Sequence, residues 1–209
     1  MKKSTPYNSI GSIAKFYDVF LKLTGYEREI AYFIDQLPFE KNAPLKVLDT
    51  ACGTGPYTMA ILKKYPNAHV TSFDLSTKLV ERLRDKLKKG GFEDRARTFS
   101  GNITGPLNEI SGETFDLVIV AGILEHVPLE KTATFLSTFV TPNGYILSSP
   151  TRTNFLGKLI DWLYGCWPNT REANIAAFTS NGLVLQKLIV PWSFKELHIL
   201  QKTSGSKNY

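Results

Sequence analysis

Cysteine and histidine, the residues from which disulfide frameworks and zinc sites are built, are scarce in this sequence. The 209 residues include 2 cysteines and 3 histidines. Cys52 and Cys166 lie far apart, with no Cys-x-x-Cys pair and no histidine close to either of them. This pattern excludes a disulfide framework and a Cys/His zinc site. We therefore expect a reducing, cytoplasmic location and no bound metal.

Long apolar runs and blocks of one charge are also missing. No apolar stretch reaches the roughly 18 residues of a membrane span, and Asp116 interrupts the longest strand-like run, Phe115 to Leu124. No apolar signal-peptide core follows the basic start of the chain, so we expect no export. With 25 basic against 19 acidic residues, the net charge is +6. This mild excess is a weak argument for nucleic acid or an anionic membrane as partner.

The composition is that of a globular protein. It contains 43% hydrophobic and 21% charged residues, which excludes disorder and coiled coil. At roughly 150 residues per domain, the length predicts one domain with small additions. We divide it into an N-terminal helical cap (1–43), a core (44–150), a helical insertion (151–182) and a terminal hairpin (183–201).

Strand and helix patterns alternate along the core. Apolar spacing predicts helices over 10–21, 26–37, 56–65, 77–89 and 128–140, and strands over 46–51, 69–74, 96–101, 115–120 and 144–149. Such alternation requires crossover connections, which build a doubly wound, mostly parallel α/β sheet of Rossmann-like type with helices on both faces.

The end of the chain departs from this alternation. The apolar runs Leu183 to Val190 and Phe194 to Gln201 are separated by three residues only. Because three residues cannot hold a helical crossover, the two runs form an antiparallel hairpin. We therefore predict a parallel sheet closed by an antiparallel edge.

The first strand-to-helix turn is the expected ligand site of such a sheet. Its sequence is VLDTACGTGPYT, and Gly53 and Gly55 allow a tight turn and a close approach of ligand to backbone. A dinucleotide fingerprint would have glycine where Ala51 stands, and Pro56 removes an N–H donor from the place of a pyrophosphate. A ligand without phosphates suits this loop better.

Asp74 lies at the tip of the second predicted strand, in the segment Phe73-Asp74-Leu75-Ser76. A carboxylate at that tip can accept hydrogen bonds from the two hydroxyls of a ribose. The alternative is a helix cap. Since Ser76 can provide that cap, Asp74 is expected to remain available for the ligand.

These segments together resemble the class I S-adenosylmethionine-dependent methyltransferases, particularly the small-molecule branch that includes quinone-biosynthesis enzymes. The resemblance covers about Lys46 to Ser149 and rests on four motifs in order. They are VLDTACGTG at 47–55, FDLS at 73–76, GNI at 101–103, and FDLVIV at 115–120 followed by LEHV at 124–127.

The resemblance implies S-adenosyl-L-methionine as the cofactor and assigns residues to its parts. Ala51 and Gly53 would approach the methionine part, and Asp49 would organise the loop. Asp74 would hold the ribose hydroxyls, and Leu75 would lie against the adenine.

Three further residues complete the implied cofactor site. Asn102 stands where the family usually has Asp, and its carbonyl oxygen would accept a hydrogen bond from the adenine amino group. Ile103 would offer a backbone N–H and an apolar face, although the Asn102-Ile103 pair also fits an ordinary strand end. Tyr17, on the first helix, is expected to close over the cofactor or to face the core.

Methyl transfer from a sulfonium needs a base only where the acceptor must lose a proton. His126, after the fourth strand, is the candidate for that role, with packing before the following helix as the alternative. Glu125 beside it is expected to orient substrate or to face solvent. Arg152 and Arg171 receive no role.

The acceptor is expected to be a small, partly apolar molecule with an oxygen or nitrogen to methylate. The insertion carries an apolar helical stripe from Phe155 to Trp167, which forms core, lid or a peripheral membrane contact. DNA is not expected, since Ala121-Gly122-Ile123-Leu124 stands where a base N-methyltransferase would have Asn-Pro-Pro-Tyr; RNA and protein acceptors stay open. The rival classes are a noncatalytic cofactor-binding protein, a peripheral membrane protein and a nicotinamide-dependent oxidoreductase.

Overall fold

The computed structural model describes residues 25–155, 157, 169–191 and 193–204. Its strands are β1 (Lys46–Thr50), β2 (His69–Asp74), β3 (Ala96–Ser100), β4 (Phe115–Ala121), β5 (Val140–Ser149), β6 (Leu183–Ile189) and β7 (Leu197–Lys202). Its helices are α1 (Tyr26–Asp35), α2 (Pro56–Lys64), α3 (Thr77–Gly90), α4 (Leu129–Thr138) and α5 (Arg171–Thr179). Short 3₁₀ turns lie at Glu93–Arg95 and Asn108–Ile110.

The seven strands form one sheet in the order β3-β2-β1-β4-β5-β7-β6. The first five strands are mutually parallel where they pair, and β7 is antiparallel to both β5 and β6. This confirms the mostly parallel α/β fold with an antiparallel final strand in a terminal hairpin.

The structure also shows the order of the two hairpin strands, which was not predicted. The edge strand is β6, which runs in the direction of the parallel strands, and the antiparallel β7 lies inside it. β7 is buried along most of its length, whereas β6 exposes residues such as Gln186 and Lys187. Five of the seven residues of β6 (LVLQKLI) are apolar, against three of the six residues of β7 (LHILQK), so apolarity alone does not decide which strand takes the interior position.

Alternating side chains of the sheet build two cores. Val47, Leu117 and Leu147 point to the face covered by α1, α2 and part of α3. Leu48 and Val118 point to the opposite face, where α4 and α5 pack. The helices thus cover both faces of the sheet, as predicted, and leave the strand ends for a ligand.

Two strand boundaries differ from the sequence-based prediction. β5 begins at Val140 rather than at residue 144, because a register shift opposite Phe115 and a positive φ of 64° at Asn143 accommodate the segment as a bulge. β7 begins at Leu197 rather than at Phe194. The longer connection before β7 leaves Lys195 outside the regular strand.

Several predictions lie outside the described residues: the helix over 10–21 with Tyr17, most of the apolar stripe in the insertion, and Cys166. Within the described ranges, no helix combines the length and apolarity of a membrane span. The same ranges bring together no group of three or more His, Cys, Asp or Glu residues suited to hold a metal ion.

Candidate functional site

The candidate site lies at the carboxyl edge of the sheet, between β1 and β4. The chain leaves β1 toward β2 on one side, and β4 lies on its other side. In open α/β sheets, ligands bind in the crevice at such a change of direction. Ala51, directly after β1, and Gly122, directly after β4, border this crevice.

The loop from Ala51 to Gly55 has a left-handed backbone at three positions. The φ angles are 49° at Ala51, 57° at Gly53 and 77° at Gly55. A Cβ on Gly55 would lie 2.2 Å from a methyl carbon of Leu83, so α3 packs directly against this turn. Cys52 donates its N–H to the Phe73 carbonyl at 2.9 Å, which joins the loop to β2. These contacts hold the chain in a tight turn at the border of the crevice.

Asp49 lies beneath this loop and is 2% exposed. One carboxylate oxygen accepts from the Thr58 backbone N–H at 3.1 Å and from the Thr58 hydroxyl at 2.6 Å. Thr58 Oγ1 also lies 2.7 Å from the Ser72 hydroxyl. Burial raises the pKa of Asp49 to about 7, although the Thr58 hydrogen bonds oppose the rise. Asp49 therefore connects β1, α2 and β2 below the turn.

Asp74 ends β2 and binds the loop directly. One of its oxygens accepts from the Gly53 N–H at 2.9 Å and the other from the Ser76 N–H at 2.8 Å. Burial raises the pKa of Asp74, against the effect of these two hydrogen bonds. Each carboxylate oxygen has a second lone pair that a ribose hydroxyl can use.

The expectation that Ser76 leaves Asp74 without a local role needs correction. Ser76 stands at the cap position of α3, but its side chain makes no capping hydrogen bond. Its backbone N–H donates to Asp74 instead. A short turn of this kind is favoured because the Asp side chain reaches the N–H two residues further on.

The residues assigned to the adenine follow two neighbouring strands: Leu75 comes directly after β2, and Asn102 and Ile103 come shortly after β3. Leu75 is 58% exposed, an unusual exposure for leucine and suited to an apolar ligand face. Ile103 is buried in the core on the α4 side. The side-chain oxygen Oδ1 of Asn102 accepts hydrogen bonds from the backbone N–H and the hydroxyl of Thr104, at 3.0 and 2.9 Å. These two local bonds compete with the predicted bond to an adenine amino group.

His126 lies in the turn after β4, and its backbone N–H donates to the Ile123 carbonyl at 2.9 Å. It is half-buried. Glu125 does not face solvent, since its side chain is 2% exposed. The turn directs Glu125 into the protein.

Sequence reasoning missed the partners of Glu125. Its Oε1 accepts from the Thr151 N–H at 2.5 Å and lies 3.7 Å from the ammonium of Lys195. Lys195 is itself buried and donates to the Thr151 hydroxyl at 2.7 Å. A lysine and a glutamate inside the apolar run Phe194 to Gln201 were the available signal, because charged residues seldom enter a sheet without partners.

A polar cleft of about 340 Å³ lies at the same edge. It is formed by the segments 151–154 and 169–172 together with Glu196. Arg171 makes two hydrogen bonds to Glu196, at 3.0 and 2.8 Å, and Arg152 donates to the carbonyls of Pro191 and Ser193. Both arginines therefore hold the cleft wall in place.

A parallel sheet with a glycine turn after β1 and a carboxylate at the end of β2 defines a Rossmann-like protein that binds a nucleoside cofactor. The particular class follows from comparison with known families. Residues 47–144 match the family described as "Methyltransferase domain". The match confirms the resemblance of this segment to the class I, S-adenosylmethionine-dependent methyltransferases, and the cofactor which that resemblance implied.

Individual relatives agree with this assignment. A malonyl-[acyl-carrier protein] O-methyltransferase of Priestia megaterium is 28% identical over 163 residues, which cover 76% of this chain and 54% of the relative. The chain spans about half the length, or less, of the first curated relatives it matches.

Solved structures share the fold. An O-methyltransferase family protein from Burkholderia thailandensis has a TM-score of 0.76 at 17% identity, over 91% of this chain and 59% of its own. An O-methyltransferase from neocarzinostatin biosynthesis, solved with S-adenosyl-L-homocysteine and 1,4-dihydroxy-2-naphthoic acid, has a TM-score of 0.72 at 15% identity, over 95% of this chain and 62% of its own.

Proposed function

We propose that this chain transfers the methyl group of S-adenosyl-L-methionine to an oxygen or nitrogen atom of a small, partly apolar acceptor. The observation that carries the proposal is the contact of Asp74 with the Gly53 N–H, which joins the ribose carboxylate to the glycine turn beside the exposed Leu75. The relatives named as O-methyltransferases favour oxygen as the acceptor atom.

Each residue of the site has a proposed task. Ala51 and Gly53 present backbone to the methionine part, and Asp49 holds the turn through Thr58. Asp74 accepts the ribose hydroxyls, and Leu75 lies against the adenine. When bound, the cofactor supplies a methyl carbon activated by a sulfonium, so the chain needs chiefly to align the acceptor and to exclude water.

Asn102 and Ile103 remain proposed contacts of the adenine. The side-chain oxygen of Asn102 already accepts two hydrogen bonds from Thr104, so a hydrogen bond from the adenine would have to share that oxygen. His126 remains the proposed base for acceptors that must lose a proton. The single-domain organisation, the cytoplasmic location and the absence of a DNA partner also remain proposals.

The nicotinamide-dependent alternative is disfavoured by α2. Pro56 occupies its first turn, so this helix start has one N–H fewer to offer a pyrophosphate. Calorimetric titration with S-adenosyl-L-methionine, S-adenosyl-L-homocysteine and NAD distinguishes a methyltransferase from a nicotinamide-dependent enzyme. We expect saturable binding of the first two and none of NAD, and then methyl transfer from labelled cofactor to phenols, alcohols or amines. Binding without transfer to any acceptor would favour the noncatalytic alternative.

Replacing Asp74 by Ala is expected to weaken S-adenosyl-L-methionine binding by about 1–3 kcal/mol, or roughly 5- to 150-fold, because a charge-assisted acceptor of the ribose is lost. The measurement is the dissociation constant by calorimetry. Since Asp74 also binds the Gly53 and Ser76 N–H groups, a thermal melt without cofactor must accompany it. Unchanged affinity in a folded variant would contradict the ribose assignment.

Replacing His126 by Ala is expected to slow methyl transfer by about 10²–10⁴-fold while cofactor affinity stays near the wild-type value, since a positioned base contributes on that order. Single-turnover rates with a hydroxyl acceptor, measured beside cofactor titrations, test this result. Wild-type turnover by the variant would remove His126 from the mechanism.

A further inference from the structure

Several buried polar atoms at the carboxyl edge have no hydrogen-bond partner among the described residues. They include Glu125 Oε2, Ser148 Oγ, Ser149 Oγ and His198 Nδ1. Ser148 and His198 face each other at the end of β5 and the start of β7, close in the chain to the residues that hold Glu125. Buried polar atoms without partners cost free energy, so their presence at a ligand edge calls for a functional reason.

The Glu125 carboxylate is bound on one side only. Oε1 has the Thr151 N–H at 2.5 Å and the Lys195 ammonium at 3.7 Å. Oε2 is buried and receives no hydrogen bond from the described residues. A donor that displaces the groups covering Oε2 would meet an oxygen already held in one position by the contacts of Oε1.

The charge of this carboxylate is maintained by its surroundings. Burial opposes ionisation of Glu125, but the Lys195 ammonium and the hydrogen bonds from Thr151 outweigh it and lower the pKa of Glu125. Glu125 is therefore a hydrogen-bond acceptor at neutral pH, with no proton of its own to donate.

Lys195, the ion-pair partner of Glu125, lies next to the crevice in which methyl transfer is proposed. A Cβ on Gly122, the residue directly after β4, would lie 3.0 Å from Lys195 Nζ. The polar cleft adjoins the same turn, since Asn169 of the cleft donates to the Leu124 carbonyl at 3.0 Å and Thr151 belongs to its wall. Glu125 thus lies in the turn after β4, on the other side of β1 from the β2 end that carries Asp74.

We propose that Glu125 binds the methyl acceptor by accepting a hydrogen bond at Oε2, so that the acceptor is a hydroxyl or amine compound rather than a carboxylate. Lys195 and Thr151 act as positioning residues that fix the other oxygen. The inference rests on the proposed methyl transfer and narrows its substrate class. A carboxylate acceptor has no hydrogen to donate at neutral pH and would be repelled by Glu125.

The first experiment compares acceptors on the wild-type protein. Labelled S-adenosyl-L-methionine is incubated at pH 7.5 with a panel of phenols, aliphatic alcohols, amines and mono- and dicarboxylic acids or half-thioesters. We expect kcat/KM for the best hydroxyl or amine compound to exceed that for the best carboxylate at least 10-fold. Equal or better methylation of carboxylates would overturn the inference and leave the proposed function intact. Methylation of nothing in the panel would overturn both.

The second experiment uses Glu125→Gln, which keeps an oxygen for the Thr151 N–H and presents an N–H₂ group where Oε2 stood. We expect kcat/KM for hydroxyl or amine acceptors to fall 10- to 100-fold, with the cofactor dissociation constant within threefold of wild type. The ratio of kcat/KM for carboxylate acceptors to kcat/KM for hydroxyl acceptors is expected to rise at least 10-fold. A merely structural role of Glu125 would lower kcat/KM for both acceptor classes by the same factor, and that outcome would overturn the inference.

Glu113→Gln is the matched control. Glu113 is also an ion-paired glutamate, held by Lys46 at 2.8 Å and Arg97 at 2.7 Å, but it lies at the opposite end of the sheet. We expect this control to leave acceptor preference at the wild-type value.

Discussion

Replacing Lys195 by Met is expected to lower the free energy of unfolding by about 3–5 kcal/mol at pH 7.5, because it leaves a buried carboxylate without its counter-charge. The side chains of Lys195 and Glu125 are 9% and 2% exposed, so solvent compensates little for the loss. Glu29, which is half-buried nearby, would also lose the attraction of Lys195, while Arg152 remains beside it. Urea unfolding followed by circular dichroism measures the change.

The pH dependence of this variant identifies the cause. In the wild-type protein the pKa of Glu125 is lowered, so its contribution to stability is present above the unfolded-state value of about 4.5 and is lost as the pH falls through the folded-state value. Without Lys195, burial dominates and raises that pKa. The deficit of Lys195→Met should therefore shrink as the pH falls from 7.5 toward 5, since protonation removes the unpaired charge.

Two controls accompany this prediction. Lys187 lies on the exposed edge strand β6, where its ammonium contacts the Gln36 side chain at the end of α1. Lys187→Met should change the free energy of unfolding by less than about 1 kcal/mol. The double variant Lys195→Met/Glu125→Gln should recover much of the loss, because neither charge is then buried alone. A single variant as stable as wild type, or a double variant as unstable as the single, would contradict the account.

Replacing Asp49 by Asn is expected to remove a large part of the pH dependence of stability between about pH 4 and pH 7. Burial raises the pKa of Asp49 from 3.8 to about 7, so in that range the folded state keeps a proton that the unfolded state releases. Stability therefore falls as the pH rises through this window, and the loss is complete above about pH 7. At about 1.4 kcal/mol for each pH unit, the expected effect is several kcal/mol.

Asn preserves the contacts that Asp49 makes, since its carbonyl oxygen can accept both hydrogen bonds from Thr58. We expect Asp49→Asn and the wild-type protein to be similarly stable at pH 4.5 and the variant to be the more stable at pH 8, as measured by urea unfolding at both values. Asp85→Asn, the same change on the exposed face of α3, serves as control. A stability difference between variant and wild type that is the same at both pH values would show that Asp49 ionises as it would in solvent.

The sequence predicted the strands of the core well, because their burial is encoded in local pattern. The runs 46–51, 69–74 and 115–120 correspond to β1, β2 and β4 within one or two residues. Prediction was weaker where tertiary context overrides local signals. Pro142, Asn143 and Gly144 indicate a break, but pairing with β4 carries the strand through them as a bulge.

The sequence by itself determined the α/β class, the terminal hairpin, the methyltransferase motifs and the positions of Asp49, Asp74 and Gly53, since periodicity and motif spacing are local properties of the chain. Only the tertiary structure decided that β7 lies inside β6 and that Lys195 meets Glu125 at 3.7 Å. That contact joins the turn after β4 to the connection before β7. Its partners are brought together by the order of strands in the sheet, which depends on which hairpin strand is buried, and no local pattern of residues records that choice.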